Sequence, residues 1–210
     1  MTWYTWFFLT AFLICLASLV FHLSRLVRSG SPHDYAPPAG SESAGIVYSY
    51  TRAMNPVKKE SAFLHLPTYS AGIIYHLGTF LAVSLIFLLW TNVVLPSALS
   101  WGLSAFLLIS SVCGTGILIK RLLKKGLREL SNPDDYISNI LVTVFQVMTG
   151  LSLVSGNSVR PWLFVSAGLL LLYIPLGKLK HLLYFFAARW QLGFFYGRRG
   201  IWPPVKNLKP

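Results

Sequence analysis

Of the five histidines of this chain, His22, His33, His65, His76 and His181, the first lies at the very end of an apolar run and two, His76 and His181, lie deeper within such runs. An imidazole in hydrocarbon needs a partner, because an unpaired polar group there is costly. His76 falls about seven residues after the start of one run and His181 about eight residues before the end of another. At ~1.5 Å of rise per residue, both lie roughly 10–12 Å from the same side of a bilayer. Two facing imidazoles at one level can take both axial positions of a haem iron, a bis-histidine b-type site set between helices. The same two side chains can instead be satisfied by nearby carbonyls, and position alone leaves both readings open. Small residues stand close by. Gly72 and Gly78 flank His76, Gly168 and Gly177 precede His181, and a third run holds Ser110, Ser111, Cys113, Gly114, Thr115 and Gly116. Such residues admit a flat macrocycle, and they equally admit a neighbouring helix. Lys178, Lys180 and Arg121 are placed to pair with haem propionates or to anchor helix ends in the interface. His33 reads as a solvated loop residue.

The elements that must position these groups are transmembrane helices. The chain has 210 residues, 54% of them hydrophobic and only 11% charged, against about 25% charged in soluble domains. Five apolar runs are each about long enough to cross the hydrocarbon: residues 3–23, 69–90, 98–119, 136–154 and 161–188. Pro175 should kink the last of these. The first lacks a preceding basic residue and a following small-residue cleavage site, so it reads as a retained helix and not as a signal peptide. The net charge of +12 reflects topology and not nucleic acid. Every one of the 18 basic residues except Arg160 falls on one side of the five-span arrangement, which makes that side the cytoplasm. The expected fold is therefore an all-α integral membrane bundle of five helices, N-terminus outside and C-terminus cytoplasmic. Trp3, Trp6, Trp90, Trp101 and Trp162 fall near the outer ends and Trp190 near the inner end, as interfacial belts require. The two cysteines, Cys15 and Cys113, read as small apolar side chains. The Ser-, Gly- and Pro-rich stretch from Ser29 to about Leu66 reads as irregular, either a tether or a contact for a soluble partner. No span holds a carboxylate, which argues against a carboxylate-driven transporter.

Two motifs carry a family resemblance. Tyr75-His76-Leu77-Gly78, opening the second span, resembles the haem-ligand segment of the cytochrome b (gamma) subunit of respiratory nitrate reductase. Pro175-Leu176-Gly177-Lys178-Leu179-Lys180-His181 resembles the second ligand segment of that family. Gly116 to Leu122 and the start of the fourth span after Asp134-Asp135 also fit, so the likeness covers roughly residues 69–200. It implies that His76 and His181 are the axial ligands of the haem nearer the cytoplasm. The positions of the family's outer ligand pair hold Ile86 and Leu163, so one haem b is expected, not two. The long loop after the first span is closer in style to the membrane cytochromes of sulfate-reducer and heterodisulfide-reductase-type redox complexes.

The apolar runs and basic loops give a domain plan, residues 1–24 a transmembrane helix, 25–68 a cytoplasmic loop, 69–188 a four-helix membrane domain and 189–210 a cytoplasmic tail, and the resemblance implies that 69–188 binds the haem. It implies an electron-transfer subunit of a larger quinone oxidoreductase complex in the inner membrane. That subunit would exchange electrons between a quinone such as menaquinone and a cytoplasmic iron–sulfur subunit of heterodisulfide-reductase type, beside other membrane subunits. His22 and His65 are candidates for bonding a quinone oxygen near the inner face. The tail is read as docking the soluble partner or binding lipid head groups. The alternatives are a haem-free membrane anchor and a small transporter; the latter lacks an inverted repeat or paired broken helices.

Overall fold

The computed structural model describes residues 2–30, 34–55 and 65–204; His33 lies outside them. Among the described residues the chain is all helical, with no strand. The helices are α1 (Trp3–Arg28), α2 (Glu42–Tyr50), α3 (Leu66–Trp90), α4 (Ser97–Leu123), the short α5 (Lys125–Glu129), α6 (Pro133–Ser155), α7 (Arg160–Tyr173) and α8 (His181–Arg198). Four of them, α1, α3, α4 and α6, are long and apolar enough to cross a membrane singly, and α7 with α8 makes a fifth candidate only as a broken pair. The chain divides into two compact units, Met1–Leu19 with Leu66–Leu179 and Val20–His65 with Lys180–Pro210.

The first unit is built on α3, α4 and α6. Its core holds Ala82, Leu85, Ile86 and Leu89 of α3, Leu107 of α4, Val142 and Phe145 of α6, and Leu163 and Phe164 of α7. The N-terminal part of α1 adds Phe8, whose ring meets Phe164 edge-on at 5.4 Å. Close approach of the helices depends on glycine. A Cβ on Gly78 would overlap the Ser110 hydroxyl, one on Gly114 the Tyr75 ring, and one on Gly168 the Phe7 ring. Polar side chains join the same three helices. The Tyr75 hydroxyl donates to the Asn139 carbonyl at 2.9 Å and lies 2.9 Å from the Thr143 hydroxyl. The buried Gln146 amide donates to the Tyr75 carbonyl (3.1 Å) and to Thr79 (2.7 Å). Hydrogen bonds of this kind hold apolar helices together where the hydrophobic effect contributes nothing between them.

The start of α6 is legible from its residues. Asn132 accepts from the Asp135 amide, Asp135 accepts from the Asn132 amide, and Pro133 occupies the first turn, which satisfies amides that a helix start leaves open. The fifth apolar run departs from expectation. In place of one kinked helix there are two, separated by a turn at residues 174–177 and a 3₁₀ turn at Lys178–Lys180. Pro175 removes the amide that would bond Leu171, and Asp134 takes up what the break exposes. Its carboxylate accepts from the Lys178 amide at 2.6 Å and from the Tyr173 hydroxyl. A side chain on Gly177 would strike that carboxylate.

The second unit holds the end of α1, α2 and α8. The stretch expected to be irregular contains a helix, α2, started by Ser41, whose hydroxyl accepts from the Ala44 amide at 3.3 Å. It packs on α8 backbone to backbone. A Cβ on Gly45 would overlap the Gly193 carbonyl and Gly197 Cα, and a Cβ on Gly193 would press on Ile46. Ser49 donates to the Arg189 carbonyl at 2.8 Å and Tyr50 to that of Phe186 at 2.5 Å. Arg198 pairs with Glu42 and Arg199 with Asp34, each at 3.0 Å. The Ala36 amide and the Arg199 guanidinium hold the Asp34 carboxyl below its ordinary range. Residues 189–198, expected as a separate tail, are thus the second half of α8.

Candidate functional site

In the first unit, the placement of His76 follows from its neighbour. Tyr75 points into the α3–α4–α6 seam, and a step of ~100° around the helix carries His76 to the outer side. There it is exposed, in a stripe with Ile73, Leu77 and Phe80. Gly72, one turn earlier on the same side, faces open space: nothing lies within 4 Å of where its Cβ would be. The glycines flanking His76 therefore have different uses. Gly78 is consumed by packing on α4, whereas Gly72 leaves a bare strip of backbone beside the imidazole, open to a flat ligand. The haem that the resemblance implies would meet His76 on this side.

His181 opens α8 in the second unit and is also exposed. Gly193 and Gly197, which face α2, lie roughly 120–160° around the helix from it, so His181 is not on the face of α8 that meets α2. Tyr184, one turn along α8, bonds His22 from the end of α1, with Nδ1 3.1 Å from the tyrosine oxygen. His65 is exposed in the turn that precedes α3.

The three cations expected at propionates are in different situations. Arg121 and Lys178 both pair with Asp135, at 3.3 and 2.8 Å. A propionate would share each of them with that carboxylate. Lys180, half-buried before α8, has no carboxylate partner among the described residues. The outer-pair positions of the resemblance, Ile86 and Leu163, are 3% and 0% exposed in the core of the first unit.

Three residues that sequence inspection does not single out emerge from these contacts. They are Tyr184, the partner of His22; Asp135, the anchor of two cations; and Gln146, which grips the peptide group joining Tyr75 to His76. Gln146 carries a signal in the sequence, as an amide within an apolar run, and so does Asp135, as the acid three residues after Asn132 at the start of α6. Set against models of known families, curated proteins and solved structures, the chain matches none.

Proposed function

We propose that this chain is a cytochrome b-like membrane subunit that relays electrons between quinone or quinol in the bilayer and a cytoplasmic iron–sulfur partner. His76 and His181 each supply one axial imidazole to a single haem b near the cytoplasmic face. Lys180, without a carboxylate partner among the described residues, serves a propionate, with Arg121 and Lys178 shared with Asp135. The haem would supply one-electron chemistry; the protein supplies ligands, a dry setting and orientation. The observation that carries the reading is His76 itself, an exposed imidazole within an apolar helix beside the open backbone of Gly72, in a segment with the ligand motif of a haem family. Ile86 and Leu163, buried in a filled core, support one haem in place of two. The basic loops support an N-terminus outside, a cytoplasmic C-terminus and residence in the inner membrane. The α2–α8 pair, with its arginines, is the face offered to the soluble partner of heterodisulfide-reductase type and to companion membrane subunits.

The test is colour. Protein purified from haem-replete cells should show a b-type Soret band and a reduced α-band near one haem per chain, and His76→Ala and His181→Ala should each abolish both. Colourless wild-type protein would overturn the reading. The ion pairs of Arg121 and Lys178 with Asp135 favour a second reading, a haem-free anchor whose cations serve only to tie helix ends, and that outcome would decide for it.

A further inference from the structure

We infer that His22 and Tyr184 form a quinone-head-group site on the second unit, in which His22 Nε2 holds one quinone oxygen. This rests on the electron-relay reading for its ligand class. The pair lies where the end of α1 meets the first turns of α8, with Nδ1 bonded to the tyrosine oxygen at 3.1 Å. His22 is half-buried, and its Nε2 has no partner among the described residues. Around it the surface is mainly apolar and aromatic, with the Arg25 guanidinium 6.0 Å from the centroid of the Phe21 ring. The Phe21 ring stands edge-on to the imidazole at 6.2 Å, as does the Tyr184 ring, and Val20, Phe21, Leu23 and Leu182 are exposed. A ring nitrogen left unpartnered in a mainly apolar, aromatic setting suits a flat ring that arrives through lipid and carries a carbonyl.

The chemistry of the pair matches both redox forms of that ligand. A neutral imidazole carries one proton on either nitrogen, and a phenol can donate or accept. When Tyr184 donates to Nδ1, His22 presents an Nε2–H donor to a quinone carbonyl. When Tyr184 accepts from Nδ1–H, Nε2 becomes an acceptor for a quinol hydroxyl. Rotation of one phenolic proton and a change of tautomer thus let the same atom hold either form. A histidine bonded to carbonyl oxygen would lack this freedom, because a carbonyl only accepts.

Equilibrium dialysis of a short-chain naphthoquinone, oxidised and chemically reduced, against the full chain in detergent tests the site. Replacing His22 with alanine should weaken both forms about tenfold, the loss expected for one hydrogen bond to a buried partner. Tyr184→Phe, which keeps the ring and removes the tautomer control, should weaken both several-fold. His22→Gln, whose amide both donates and accepts, should restore most of the binding. Running the same dialysis on His76→Ala protein scores haem and quinone separately. Binding retained there beside a colourless wild type keeps the site and removes the haem. Coloured protein in which Tyr184→Phe and His22→Ala bind as wild type overturns the site and leaves the haem. Should His22→Ala fail to fold, the Tyr184→Phe result decides alone.

Discussion

Tyr75 and His76 are adjacent residues with opposite tasks, and the helix period separates them. The tyrosine is locked by Asn139 and Thr143, its carbonyl is gripped by Gln146, and Gly114 makes room for its ring. The result sets the rotation of α3 and so the direction of the imidazole. The two kinds of glycine give a separable prediction. Gly114→Ala should destabilise the protein by about 1–3 kcal/mol, because the added methyl meets a ring that cannot retreat. A Cβ at Gly72 meets nothing within 4 Å, so Gly72→Leu should change stability in detergent by less than about 1 kcal/mol. Its haem-to-protein ratio should nevertheless fall. An unchanged ratio would show that no macrocycle lies against that backbone.

At the scale of elements, α2 is the helix least able to stand alone. It has nine residues, fewer than the ~12–15 that an isolated helix needs to persist in water. Its stability therefore comes from α8, through Gly45 against Gly193 and Gly197 and through the hydrogen bonds of Ser49 and Tyr50. Gly197→Leu would force the two backbones apart, since a Cβ there already crowds the Ser41 carbonyl and Gly45 Cα. Amide hydrogen exchange across Glu42–Tyr50 should then rise towards that of an unprotected segment, while α3, α4 and α6 keep their protection. Equal loosening of both units would contradict the division of the chain into two. The break between α7 and α8 is likewise a matter of elements. Pro175 ends the hydrogen-bond ladder, and Asp134, from the first turn of α6, holds the freed amide of Lys178.

For the whole molecule, the proposed topology assigns each connection to a side. In a background with Cys15→Ala and Cys113→Ala, an impermeant maleimide added to intact cells should label Asn157→Cys. It should reach Leu130→Cys only after permeabilisation. Ile201→Cys then decides whether the α7–α8 pair crosses. Protection like that of Leu130 means five crossings, and labelling like that of Asn157 means four.

The apolar runs are local properties, and they determine by themselves helices near residues 3–23, 69–90, 98–119 and 136–154 that are long and apolar enough to cross a membrane. Tertiary structure decided the rest, because it depends on which surfaces meet. Gly72 and Gly78 are identical in sequence and differ only in what stands opposite. Ser41, Gly45 and Ser49 look like loop residues until α8 supplies a backbone for them to touch. His22 is one imidazole among five until Tyr184, 162 positions away, reaches its Nδ1. Periodicity records which face of a helix is apolar; it carries no information about the partner that the face will find.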